Sequence, residues 1–80
     1  MRVSEAVAQR ILELCKERNI TINKLCTMSA ITQSTVNDIV NGKAKNIGII
    51  TIKKICDGLE ITIEEFFAHE SFRSLEQEII

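Results

Sequence analysis

Thr32, Gln33, Ser34 and Asn37 are four polar side chains gathered at the start of one short amphipathic run of this 80-residue chain. On a helix they share the leading, solvent-facing side, while Val36 and Ile39 take the opposite one. That grouping suits one chemistry. Gln and Asn bond bidentately to adenine N6 and N7, and Ser and Thr hydroxyls pair with several base edges. Thr32, Gln33, Ser34 and Asn37 are therefore the expected DNA base contacts. Asp38 is set apart, because phosphates repel a carboxylate and cytosine N4 is its one good partner. Directly after the run, Asn41, Lys43, Lys45 and Asn46 offer two cations and two neutral donors to phosphate oxygens. With Asn23, at the start of the preceding segment, they are the expected phosphate contacts.

The elements that must hold these groups are short helices. The stretch Thr21–Gly42, TINKLCTMSAITQSTVNDIVNG, reads as two helices joined by a tight turn, with Leu25, Cys26, Ile31, Val36 and Ile39 facing inward. Thr21 caps a helix over 22–29, and Thr32 caps one over 33–41 that stops at Gly42. Ahead of them, Ser4 is the expected cap of a helix reaching Arg18, with Val7, Ile11, Leu14 and Cys15 as its apolar stripe and Arg10 on its polar outer face. Asn19 ends it, since Asn tolerates the left-handed conformation. A fourth helix over 50–58 turns Ile52, Ile55, Cys56 and then Leu59 inward. Thr62 and Glu65 form a capping box for a fifth, Ile63-Glu64-Glu65-Phe66-Phe67. β-Branched residues are frequent, but four caps and a 3.6-residue period outweigh that preference.

Charge is segregated along the chain. The formal net charge is −1, yet residues 1–54 carry +5 and residues 55–80 carry −6, which suggests one face for a polyanion and another for a different role. Hydrophobic residues make up 45% of the chain and proline is absent, so it can bury a core and shows little sign of disorder. Cys15, Cys26 and Cys56 are odd in number and lack metal-site spacing, and the single His69 lies far from them. They read as small core hydrophobes. No metal, cofactor or small-molecule ligand is expected. Without a nucleophile beside a base, or a glycine-rich phosphate loop, the chain reads as a non-enzyme. It has no apolar run long enough for a signal peptide or membrane span, and with its free thiols a cytoplasmic protein is expected.

The chain resembles the XRE/Cro-type (lambda-repressor-like) helix-turn-helix regulators. The resemblance covers about residues 7–67. It rests on a first helix ending KERNIT, the TINKLCTMSAITQSTVNDIVNG unit, the NGKAKN loop, the ITIKKICDGLEI helix and the closing TIEEFF. It implies an all-α fold: a compact five-helix DNA-binding domain, residues 1–67, with the third helix as recognition helix, followed by a short C-terminal helical extension, residues 68–80. Three positions depart from the family pattern. Ala30 stands where the family favours Gly, at a positive φ that costs Ala roughly 1 kcal/mol. Ile22 replaces a phosphate-gripping Gln. Cys26 replaces Ala, where the two helices come close.

In the extension, Phe72, Leu75 and Ile79 recur at helical spacing. They form a final helix packed back on the domain, dimer contacts, or part of a frayed tail. Two functions stay open. The first is a sequence-specific transcriptional repressor, a homodimer on a short inverted repeat of double-stranded DNA. The second is an antitoxin or anti-regulator whose acidic C-terminal part binds a basic protein.

Overall fold

Three tripeptides of one pattern join the helices of this protein: Asn19-Ile20-Thr21, Ala30-Ile31-Thr32 and Glu60-Ile61-Thr62. The structure, a computed structural model, describes residues 1–79, and each tripeptide does the same work in it. Its first residue ends a helix in the left-handed conformation, at φ of 54°, 54° and 58° respectively. Its isoleucine sends the backbone N–H back to a carbonyl five residues earlier: Ile20 to Cys15, Ile31 to Cys26, Ile61 to Cys56, at 2.9–3.1 Å. This is a Schellman closure, and each isoleucine packs its half-buried side chain on the core as that closure requires. The threonine then caps the next helix, Oγ1 accepting from the backbone N–H three residues on.

The resulting elements are α1 Val3–Arg18, α2 Ile22–Ser29, α3 Gln33–Val40, α4 Ile49–Leu59 and α5 Ile63–Phe67, with one 3₁₀ turn at Glu70–Phe72. The fold is thus all-α, five helices, as the sequence implies. At α5 the capping box forms in full: Glu65 N–H donates to Thr62 Oγ1 and Thr62 N–H to the Glu65 carboxylate, both at 3.0 Å. Ser4 does not cap α1. The helix begins before it because Glu5 accepts from the Arg2 backbone N–H at 2.8 Å, a carboxylate in the first turn that the helix dipole also favours. α4 starts at Ile49, one residue before the expected point, with Gly48 as its cap.

Ile11, Leu25, Val36, Ile55, Leu59 and Phe66 are sealed from solvent at the centre, and the expected stripes of α1, α3 and α4 meet there. All three cysteines are buried and unpaired, and burial pushes each thiol above its ordinary value. Arg10 overturns its expected place. It is only 9% exposed, with Nε donating to Phe66 O at 2.7 Å and Nη2 to Glu65 O at 2.9 Å. Its Nη1 meets Glu13 at 3.0 Å. Helical periodicity ranked Arg10 with its polar neighbours. The Glu65 and Phe66 carbonyls at the end of α5 supply the partners that draw it inside.

Among the described residues the C-terminal extension is helical only over Glu70–Phe72, and no amphipathic helix there carries Leu75 and Ile79. Tertiary contacts prevail over a three-residue pattern. Phe72 joins Phe67 and Phe66 at ring separations of 4.9 and 6.3 Å, and His69 caps the 3₁₀ turn through Ser71 N–H. The chain then runs back to the N-terminus, where Glu76 N–H meets Met1 O at 3.0 Å.

α2 and α4 approach closely at Gly58, where a Cβ would lie 2.5 Å from Ser29 Oγ and 3.0 Å from the Met28 carbonyl. Ser29 Oγ is buried and finds no hydrogen-bond partner among the described residues, so a small residue on each helix is what the crossing requires. Gly58→Ala should cost about 1–3 kcal/mol by forcing the helices apart, although Ala is the better helix former. Urea unfolding should give a lower midpoint at an unchanged slope. An unchanged or higher midpoint would mean the crossing yields freely.

Candidate nucleic-acid interface

The turn between α2 and α3 is built before its side chains matter. Thr21 Oγ1 accepts from Lys24 N–H at 3.0 Å and starts α2. Ile22 is half-buried on the core, so its side chain serves packing instead of reaching solvent. Ala30 adopts the positive φ expected of it, and the chain leaves α2 through Ile31 to the Thr32 cap. Cys26 packs under this corner, with Sγ 3.8 Å from Thr32 O. A larger residue there would lift the start of α3.

α3 is eight residues long and fastened on one side by Val36, fully buried, and Ile39. The opposite side leaves Gln33, Ser34 and Asn37 exposed, so the three expected base-contact residues share an open surface. Thr32, the fourth, is exposed but engaged. Its Oγ1 is the cap acceptor for Thr35 N–H at 3.4 Å and lies 2.9 Å from Thr35 Oγ1. Thr35 itself is not singled out by the sequence. With Asp38 it borders a shallow cleft toward Asn46, Gly48 and Thr51, and the only signal was its position three residues after the cap.

The loop after α3 is held from both sides. The Asp38 carbonyl accepts from Lys43 N–H at 2.8 Å and Ala44 N–H at 3.0 Å, and Gly42 supplies the φ of 79° this tight return needs. Ala44 and Ile47 are half-buried against the core. The intervening residues are turned out by that anchoring, so Lys43, Lys45 and Asn46 are exposed beside Asn41. Asn23 is exposed on the first turn of α2, its carbonyl accepting from Thr27 Oγ1 at 3.2 Å.

The positive charge of the first two thirds is less available than its sum implies. Arg10 is held inside, Lys53 pairs with Asp57 along α4, and Arg2 pairs with Glu78 at 2.8 Å. The three expected dimer residues are dispersed. Phe72 belongs to the aromatic cluster, Leu75 is half-buried and Ile79 is 89% exposed. No His, Cys, Asp and Glu cluster fit for a metal occurs among the described residues, and no described helix is long and apolar enough to cross a membrane.

Residues 10–71 match the family of Cro/C1-type helix-turn-helix DNA-binding domains. Two Bacillus subtilis (strain 168) proteins are similar over 60 residues: the HTH-type transcriptional regulator RghRB, 35% identical, and the HTH-type transcriptional repressor RghR, 33% identical. Each alignment takes in 75% of this chain but 43% and 44% of those proteins, so the chain spans less than half the length of the curated relatives it matches. Among solved structures, the crystal structure of the prophage Lp1 protein 11 superposes with a TM-score of 0.81 at 34% identity. It covers 94% of this chain and 100% of that one.

The turn geometry carries its own test. A left-handed non-glycine residue costs roughly 1–2 kcal/mol, part of which Gly returns through the unfolded state. Ala30→Gly should stabilise the domain by about 1 kcal/mol, raising Tm by roughly 4–8 °C for a domain of this size. A lower Tm in calorimetry would show that the turn relies on the alanine methyl.

Proposed function

The chain belongs to the Cro/C1-type helix-turn-helix DNA-binding family, and from that membership and the geometry of α3 we propose a sequence-specific transcriptional repressor. It acts as a homodimer on a short inverted repeat. One observation carries the reading: α3 exposes Gln33, Ser34 and Asn37 together while Val36 and Ile39 hold its other side in the core. A helix fixed in this way enters the major groove as a rigid body, its first residues meeting base edges. Gln33 and Asn37 are matched to A·T pairs, Ser34 to a neighbouring edge and Thr32, beside its capping duty, to a backbone or base oxygen.

Lys43, Lys45, Asn41 and Asn46 follow one phosphate strand in this reading, and Asn23 at the α2 N-terminus meets another. Two-fold pairing of the chain places two α3 helices one turn of duplex apart. Within the candidate stripe, Leu75 and Ile79 are the residues outside the aromatic cluster and the ones available to such a pair. What favours DNA over a basic protein partner is the acidic C-terminal segment, which engages the chain's own N-terminus through Glu76 and Glu78. Three unpaired thiols fit a reducing cytoplasm.

Two measurements bear on this reading. Gln33→Ala should cost about 1–3 kcal/mol on the preferred duplex and almost nothing on a scrambled one, relaxing discrimination at one base pair per half-site. Equal loss on both duplexes would demote Gln33 to positioning. Lys43→Ala combined with Lys45→Ala should weaken binding to every sequence alike and lower the salt slope by roughly 0.9 for each phosphate no longer neutralised. An unaltered slope in a titration from low to high salt would take this loop out of the interface.

A further inference from the structure

The acidic end of the chain returns to the basic loop. Glu76 N–H meets Met1 O at 3.0 Å and Glu78 Oε1 accepts from Arg2 Nη2 at 2.8 Å, so residues 73–79 lie as a strap across the start of α1. Beyond α1, Glu78 and Arg2 line one open cleft with Ser4, Glu5, Gly42 and Lys45, and the Glu5 carboxylate there is already engaged by the Arg2 backbone N–H at 2.8 Å. The Glu78 carboxylate therefore holds one cation and borders a second at the edge of the loop assigned above to phosphates.

We propose that this strap is an intramolecular brake on DNA binding: Glu78 withholds Arg2 from the duplex and lowers the positive potential around Lys45. The inference rests on the loop facing the phosphate backbone. Arg2 sits at the N-terminus of α1, on the cleft it shares with that loop, so freeing it adds a cation where the phosphates would run. A guanidinium is well suited to phosphate, which it grips with two parallel N–H bonds.

The pair is built to open. Its side chains are 44% and 51% exposed, and the cleft holds about 530 Å³ of solvent space, so both charges stay hydrated. A pair this exposed is weak, its attraction screened by water and salt. It persists because the bond from Glu76 N–H to Met1 O keeps the two backbones side by side, so the charges stay near each other even when the pair opens. Phosphates of the duplex compete with Glu78 for the same guanidinium, and the brake acts by degree without abolishing binding.

The test is a salt titration of DNA affinity by fluorescence anisotropy, with the full chain and one duplex throughout. Glu78→Gln should tighten binding several-fold at low salt and steepen the salt slope by about 0.9, the increment for one further phosphate neutralised. Glu64→Gln removes the same charge from α5, outside this cleft, and should leave the slope unchanged. Adding Arg2→Ala to Glu78→Gln should return the slope to the wild-type value. The brake is overturned by an inert Glu78→Gln, by an equal effect of Glu64→Gln, or by a steep slope that survives Arg2→Ala. If Lys43→Ala with Lys45→Ala weakens binding while Glu78→Gln does nothing, the brake alone fails. If the lysine variant is inert, the loop reading fails and the brake falls with it.

Discussion

Arg10 puts a guanidinium into the interior, where an unpaired charge would cost several kcal/mol, and the protein answers it with the backbone carbonyls of Glu65 and Phe66 and the carboxylate of Glu13. Both carbonyls lie at the end of α5, where Glu65 O also accepts from Ala68 N–H at 3.3 Å. A five-residue helix has almost no stability of its own, so α5 exists because its start is boxed by Thr62 and Glu65 and its end is clamped to α1. Phe66 is carried into the core by that clamp. Phe67 and Phe72 then pack on it, and Glu13, held on one oxygen by Arg10, takes His69 Nε2 on the other at 2.8 Å. His69 Nδ1 accepts from Ser71 N–H, which fixes the ring with Nε2 facing Glu13. One side chain thus organises both the short helix and the path of the chain beyond it.

The reading surface proposed for α3 depends on this scaffold indirectly. α1, fixed at Arg10, packs against α3, and α2 packs against α4 through the close approach of Ser29 and Gly58. The orientation of α3 is set by what lies behind it. Its exposed amides contribute nothing to the fold and are free to serve recognition, whereas the inward residues Val36 and Ile39 cannot change without moving the surface they support. Division of labour between two faces of one short helix lets an 80-residue chain carry both a core and the proposed reading surface.

Much of the helical framework is legible because caps and apolar periods act within four residues. Thr21, Thr32 and Thr62 announce three helix starts and Asn19 one left-handed end, while the left-handed end at Ala30 is expected only from the resemblance to a family that has Gly there. Glu60 gives no such notice, since a glutamate has no special tolerance for that conformation. The recurrence of Ile-Thr after it, matching residues 20–21 and 31–32, is the available signal. Ser4 misleads because Ser is a good cap in general, while Glu5 can reach back to Arg2 and begin the helix earlier. Along α3 and the loop, the exposure of Gln33, Ser34, Asn37, Lys43 and Lys45 follows from the same short-range pattern.

Residue order alone is enough for most helix ends, the inward stripes and the polar character of the third helix, because each depends on neighbours a turn away. Packing in three dimensions settles where Arg10 places its charge, that Phe72 joins an aromatic cluster before any helix can propagate to Ile79, and that Glu78 finds Arg2. Those contacts join residues 56 and 76 positions apart for Arg10–Phe66 and Arg2–Glu78. A periodic pattern states which face of a helix is polar. It does not state which carbonyl or carboxylate the folded chain will bring opposite, because that follows from how helices stack around a shared core.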